Sequence, residues 1–309
     1  MFTTIMVVDV VSRFDLYIYD NLNIYLTVSC EQRVVISNEH GEKLVGLLHQ
    51  TSSNKLVILC HGFQATKASV MLSTCLNGPS PAALAKDDSI LVGLAAALTR
   101  EGINAFRFDF AGNGESEGEF QYGNYRKEAA DLRSVVSYFS KQKYDIIALV
   151  GHSKGGNAVL LYASMYHDVP IVVNISGRFA LERGIDGRLG KNFMQRIKKD
   201  GYIDVKNRKG EFEYRVTKAS LEDRLSTDTL LSSRAISKGC RVLTIHGAKD
   251  EIVPAQDARM FAANVPNHEL RIIADADHRY TGHEKELNSL VLDFVRSPHQ
   301  CTSPLRPKL

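Results

Sequence analysis

Leu149-Val150-Gly151-His152-Ser153-Lys154-Gly155-Gly156-Asn157 decides the reading of this 309-residue chain. It holds a Gly-x-Ser-x-Gly pentapeptide at the end of the apolar run Ile146-Ile147-Ala148-Leu149-Val150. That run reads as a buried parallel strand, and Asn157 to Tyr166 reads as a helix. A serine between the two sits on a sharp strand-to-helix turn, where Gly151 and Gly155 omit the Cβ atoms that would collide. The amides at the start of the helix point toward a reacting centre at which negative charge develops. A serine hydroxyl is a poor nucleophile until a base takes its proton, so the rest of the chain is searched for that base.

Outward from this turn the chain alternates strand and helix. Arg33–Ile36 and Lys43–His49, joined through Asn38-Glu39-His40-Gly41, read as an antiparallel hairpin. Strands are expected at 55–60, 103–110, 171–175, 241–245 and 269–273. Helices are expected at 91–101, 126–141, 255–263 and 284–295. The alternation predicts an α/β fold: a mostly parallel central sheet with helices on both faces. Residues 31–176 and 237–297 form the expected core, with 67–88 as a long inserted loop. The polar segment 177–236 interrupts the rhythm between two core strands and is expected to form a cap over the site, since loops at the carboxyl ends of strands enclose ligands. Its many charges are read as solvated surface, with a preference for anionic substrates as the alternative. Residues 1–30 form an extension of uncertain order, and the proline-containing tail 298–309 is expected to be disordered.

A base and an orienting acid are expected in the chain order serine, acid, histidine. Asp250, in Ile245-His246-Gly247-Ala248-Lys249-Asp250, follows a late core strand. His278, in Ala274-Asp275-Ala276-Asp277-His278, follows the last strand. The rivals are Glu251 and Asp257 for the acid and His283 for the base. Asp257 reads as a helix-start charge, and His246 as a structural hydrogen-bonding residue. A metal set of Asp275, Asp277, His278 and His283 lacks a second supporting cluster. An oxyanion would be held by the backbone N–H of Lys154 and by one from His61-Gly62-Phe63-Gln64, with Phe63 favoured and Gln64 the substitute. His61 is expected to brace that loop. Phe108-Asp109-Phe110-Ala111-Gly112-Asn113-Gly114-Glu115-Ser116 lacks the Gly-Lys-Ser/Thr ending of a phosphate cradle. It reads as a tight loop tied by Asp109 and Ser116.

Composition narrows the field further. The chain is 44% hydrophobic and 24% charged, with a net charge of +3. That charge, with no zinc-finger spacing or RNA-binding pattern, argues against a nucleic-acid partner. No apolar stretch is long enough to span a bilayer. The five cysteines (Cys30, Cys60, Cys75, Cys240, Cys301) show no paired spacing, and free thiols in a reducing compartment are expected. The N-terminal residues lack the pattern of a secretory or transit signal, which leaves the cytoplasm as the expected location.

Together these residues resemble the α/β-hydrolase superfamily from about Arg33 to Arg296. More narrowly they resemble serine esterases of the feruloyl/cinnamoyl-esterase-like group, including plant members. The resemblance rests on Cys60-His61-Gly62-Phe63, on Arg107 to Ser116, on Gly151 to Gly156 and on Ala276-Asp277-His278-Arg279-Tyr280. It implies a triad of Ser153, Asp250 and His278, no cofactor, a small-molecule ester substrate and a small cap over an acyl pocket. Against that family, Ala68–Lys86 reads as an insertion, genuine or introduced by a retained intron, and Met1–Cys30 lacks the usual pattern. A thioesterase, an amidase or a lipid acyl hydrolase would use the same residues. A binding protein on the same scaffold is the alternative from another class.

Overall fold

Lys55-Leu56-Val57-Ile58-Leu59-Cys60 is apolar on both faces because both faces are covered. Leu56, Ile58 and Cys60 pack into one core, while Val57 and Leu59 pack into another on the opposite side. A strand's side chains alternate between the faces of the sheet, and a continuous apolar run is what burial on both sides selects.

The computed structural model describes residues 30–67, 86–87, 89–207 and 209–297. The expected N-terminal extension, nearly all of the expected 67–88 loop and the tail lie outside the described residues. In chain order come β1 (Cys30–Ser37), β2 (Lys43–Gln50), β3 (Lys55–Cys60), the short β4 (Ala65–Thr66) and β5 (Lys86–Asp87), and α1 (Ser89–Arg100). Then follow β6 (Asn104–Phe108), α2 (Tyr125–Lys141), β7 (Asp145–His152), α3 (Lys154–Tyr166) and β8 (Ile171–Ile175). An insert carries α4 (Asp186–Leu189), α5 (Phe193–Asp200), β9 (Tyr202–Lys206), β10 (Phe212–Thr217), α6 (Lys218–Ser226) and α7 (Thr229–Ala235). The chain then returns through β11 (Arg241–Gly247), α8 (Ala255–Asn264), β12 (His268–Ile273) and α9 (Glu284–Arg296).

Eight strands form one sheet in the order β1-β2-β6-β3-β7-β8-β11-β12. The pairs β1·β2 and β2·β6 are antiparallel, and every neighbour from β6 onward is parallel. Apolar residues of α2, α3 and α8 (Leu132, Val135, Ala158, Phe261) close one face. Those of α1 and α9 (Leu91, Leu94, Leu287, Val291) close the other. The parallel strands therefore deliver the loops after β3, β7, β8, β11 and β12 to one edge of the sheet.

The insert between β8 and β11 has a small core of its own, in which Ile185, Leu189, Ile197, Ile203, Tyr214, Val216 and Leu221 pack with Tyr122. The antiparallel β9–β10 pair runs into α6 through a capping box. Thr217 Oγ1 accepts from Ser220 N–H, and Ser220 Oγ from Thr217 N–H, both at 3.1 Å. Each satisfies an N–H that would otherwise lack a partner at the helix start. Lys198 and Lys199 are exposed, as expected of a solvated face, but Arg224 is buried, and there the solvated-surface reading fails.

Free Cys60 and Cys240 are both buried. Burial pushes the Cys60 thiol well up and the Cys240 thiol up to about 12, so both behave as apolar packing residues. No helix among the described residues is long and apolar enough to cross a membrane.

Candidate active site

Ser153 is where the turn is tightest. Its backbone has φ 54° and ψ −118°, a left-handed conformation that L-residues other than glycine rarely adopt and that stores strain. A Cβ on Gly151 would collide with Gly155 O, and one on Gly155 with the Cys60 and His61 carbonyls. Glycine at both places lets β7, α3 and the loop after β3 approach one another. Ser153 N–H donates to Ile175 O at 2.7 Å, fixing the turn to the end of β8. The helix begins at Lys154, three residues before the sequence suggested. Gly155 and Gly156 have poor helix propensity, but the close approach they permit outweighs it.

The predicted serine, histidine and aspartate meet. His278 Nε2 lies 3.1 Å from Ser153 Oγ, and its Nδ1 lies 2.7 Å from Asp250 Oδ2. Asp250 Oδ1 accepts from the Ile252 and Val253 amides at 2.9 and 2.7 Å. Burial raises the Asp250 carboxyl, but hydrogen bonds from His246, His278 and Val253 outweigh it and hold the group well below the usual carboxylate range. Burial in turn lowers the His278 pKa. The Asp250 hydrogen bond works against that shift, and neighbouring His152 works with it. The lowered pKa favours the neutral imidazole, and the two contacts suit the tautomer with Nδ1–H toward the carboxylate and Nε2 toward Ser153 Oγ.

The loop carrying His278 is anchored beneath. His152 Nε2–H donates to His278 O at 3.0 Å, and the two rings lie 5.0 Å apart. The buried Tyr280 hydroxyl donates to Ile245 O at 3.0 Å and accepts from Ser176 Oγ at 2.8 Å. It thereby ties the loop after β12 to β11 and to the end of β8.

The rivals go elsewhere. Glu251 is exposed. His283 pairs with Glu286 at 3.3 Å on the surface. Asp257 sits in the first turn of α8, as expected, but is fully buried and accepts from the Phe179 and Ala180 amides at 2.8 and 3.3 Å. His246 Nε2–H donates to Val253 O at 2.8 Å. Asp275 pairs with Lys249 at 2.8 Å, and Asp277 accepts from the Arg279 and Thr281 amides. Among the described residues no cluster suited to a metal ion forms. His61 braces its loop, donating from Nδ1 to Gly62 O at 2.8 Å and accepting at Nε2 from Phe110 N–H at 3.1 Å. Asp109 accepts from the Lys67 and Glu115 amides, and Ser116 Oγ donates to Asp109 O at 2.6 Å. Asp109 also holds the buried Lys67 ammonium at 2.7 Å, a contact the sequence did not suggest.

Phe63 and Lys154 both line the half-open cleft that contains Ser153. Lys154 is the first residue of α3, where backbone N–H groups lack a partner within the helix. Its side chain turns away and is buried against Glu128, Nζ to Oε1 at 2.7 Å. Burial pushes the Glu128 carboxyl up to about 7, with Lys154 pulling it back. The remaining walls include Tyr122, Tyr125, Arg178, Arg188 and Arg224, none of which sequence reasoning singled out. Arg178 gave one usable signal, its place three residues past a core strand.

The order of this sheet, the strained serine turn after β7 and the loops gathered at one edge are those of an α/β hydrolase. The chain has the α/β-hydrolase fold. Residues 89–240 match the family model Hydrolase_4, described as serine aminopeptidase, S33. Among solved structures, Est1E from Butyrivibrio proteoclasticus with ferulic acid bound is similar at TM-score 0.67 and 23% identity, over 84% of this chain and 97% of that one. The Pyrococcus furiosus esterase Pf2001 is similar at TM-score 0.60 and 21% identity, over 86% of this chain and 89% of that one. An uncharacterized protein of Saccharomyces cerevisiae is 25% identical over 79% of this chain and 74% of its own length.

Proposed function

We propose that the protein is a serine hydrolase that cleaves carboxylic esters of small molecules through an acyl-enzyme on Ser153. The observation that carries this reading is the continuous hydrogen-bonded chain from Ser153 Oγ through His278 to Asp250. In this reading His278 Nε2 takes the Ser153 proton as Oγ attacks the ester carbonyl. Asp250 keeps the imidazole in its tautomer and stabilises the cation that forms. The amides of Phe63 and Lys154 hold the tetrahedral oxyanion, each contributing about 3 kcal/mol to the transition state. His278 then returns its proton to the departing alcohol. Water, deprotonated by the same imidazole, releases the acid and restores Ser153.

Residues 31–176 and 237–297 act as the hydrolase core, and 177–236 as a cap whose arginines and aromatic neighbours help to wall the site. Esters are favoured as substrates because two structural neighbours are described as an esterase and as a protein holding ferulic acid. The aromatic wall of Phe63, Tyr122 and Tyr125 suits an aryl or short acyl chain.

Ser153→Ala is the test, assayed on short p-nitrophenyl esters beside fluorophosphonate labelling. Turnover is expected to fall on the order of 10⁴-fold or more, and labelling to vanish. Wild-type turnover in the variant would overturn the assignment.

A further inference from the structure

Three arginines reach the Ser153 cavity from three separate segments. Arg178 lies three residues past β8, Arg188 belongs to α4 and Arg224 to α6. Each is met by neutral partners. Arg178 donates to Ile252 O. Arg224 donates to Leu181 O at 2.8 Å and to the Tyr125 hydroxyl at 3.3 Å, and stacks 5.0 Å over Tyr122. Arg188 lies 4.4 Å over the Phe63 ring. Among the described residues no carboxylate forms an ion pair with any of the three.

The nearby acids are committed elsewhere. Glu128 neutralises Lys154. Asp250 serves His278 and two amides. Asp257 Oδ2 accepts from the Phe179 and Ala180 amides, while its buried Oδ1 has no hydrogen-bond partner among the described residues; Asp223 accepts from the Tyr125 amide and Arg126. Holding the buried Arg224 guanidinium and the half-buried Arg178 one without a paired carboxylate is unfavourable. Burial and the neighbouring Arg224 lower the Arg178 pKa, while Asp257, Tyr125 and Asp250 act against them from beyond ion-pair distance and do not cancel the shift. Burial raises the Tyr122 hydroxyl pKa, and Arg224, Arg188 and Arg178 all oppose that, so one point on the wall feels all three charges. A planar fork of N–H donors fits a carboxylate or phosphate through paired hydrogen bonds.

We propose that this cavity binds an anionic group, carboxylate or phosphate, carried on the same molecule as the reacting carbonyl, with Arg178, Arg188 and Arg224 holding it. The proposal rests on the hydrolase reading for the chemistry, but the charge arrangement stands apart from it. An anion seated there offsets the repulsion between the arginines and brings the ester carbonyl toward Ser153. The phenolic and phenyl walls supply the apolar surround.

The test compares three p-nitrophenyl esters of one chain length on the full-length protein: the hexanoate, the adipate monoester and the 6-phosphonohexanoate. Wild type is expected to favour an anionic ester over the hexanoate in kcat/KM by about tenfold or more. That ratio should shrink as KCl is raised. Whichever of the carboxylate and phosphonate arms is faster names the group. Arg178→Gln and the exposed Arg188→Gln are each expected to lower the ratio about tenfold.

A second arm titrates Ser153→Ala protein with adipate and with inorganic phosphate by calorimetry. Saturable binding that Arg178→Gln weakens is the expected result. Turnover of hexanoate with no anionic preference, or a ratio unchanged in both arginine variants, would overturn the anion subsite and leave the hydrolase standing. Anion binding that depends on Arg178, with no turnover of any ester, would overturn the hydrolase reading and keep the subsite. Neither turnover nor binding would overturn both.

Discussion

The Asn157 side chain grips the backbone of Arg178 at both ends: Oδ1 accepts from Arg178 N–H at 3.0 Å, and Nδ2 donates to Arg178 O at 2.6 Å. Asn157 lies in the first turn of α3, the helix that starts at the serine turn, so the arginine is positioned from the same element as the reacting hydroxyl. Asn157→Ala removes both bonds and leaves buried backbone groups unmet, at a cost of about 2 kcal/mol in stability. The expected outcome is a lower urea midpoint together with a reduced preference for anionic over neutral esters. A variant that shifts the midpoint and keeps the preference would mean that Asn157 only supports the fold.

The pH profile follows from His278. In the proposed mechanism its neutral form is the base, and burial lowers its pKa below the ordinary histidine value of about 6.5. Protonation removes the base, so activity is lost as pH falls through this lowered value. The acid limb of kcat/KM for a neutral ester is therefore expected below pH ~6.5. In His152→Phe, which removes a neighbour that pulls the same way, the limb is expected to move upward. A stopped-flow pH series on both proteins measures it.

Much of this was legible from residue order. Period-two and period-3.6 patterns placed the core strands and helices, because a covered sheet selects continuous apolar runs such as Lys55–Cys60. Ser153, Asp250 and His278 were legible because parallel strands send their carboxyl ends to one edge. Ile103–Phe110 read as one strand, but β6 stops at Phe108, where Asp109 turns its carboxylate to the Lys67 and Glu115 amides. The arginine cluster was not legible. Arg178, Arg188 and Arg224 share no period, and only the packing of the insert against Phe63 and Tyr122 brings them together.

Glu128 and Lys154 test how a buried ion pair behaves behind the site. Glu128→Leu leaves the Lys154 ammonium buried without its partner and is expected to cost about 3–5 kcal/mol. Lys154→Met is expected to cost less, because Glu128 can take up a proton. The double variant is expected to return most of the loss. In the native protein the Glu128 pKa is raised from 4.5 to about 7. Its contribution to stability is therefore full below the unfolded value and is lost as pH rises through the folded one. Without Lys154 the window extends upward. Denaturant titrations at pH 5 and pH 8 on the four proteins measure both effects. The backbone N–H at 154 is kept in Lys154→Met, so a retained rate separates it from the ammonium.

The backbone at Ser153 carries a strain that a glycine would relieve. Ser153→Gly and Ser153→Ala both remove the hydroxyl, and only the glycine fits φ 54° and ψ −118° without a Cβ penalty. The glycine variant is expected to be the more stable of the two by about 1 kcal/mol, read from thermal unfolding. Equal stabilities would mean that the turn is not under tension.

Tyr280, braced between Ile245 and Ser176, and His152, fastened to the His278 carbonyl, seat the working side chains on the strand ends below the insert. If the proposed reading holds, the stretch from Arg178 to Ile236 can be exchanged or resculpted, changing what the cleft accepts, without disturbing these anchors.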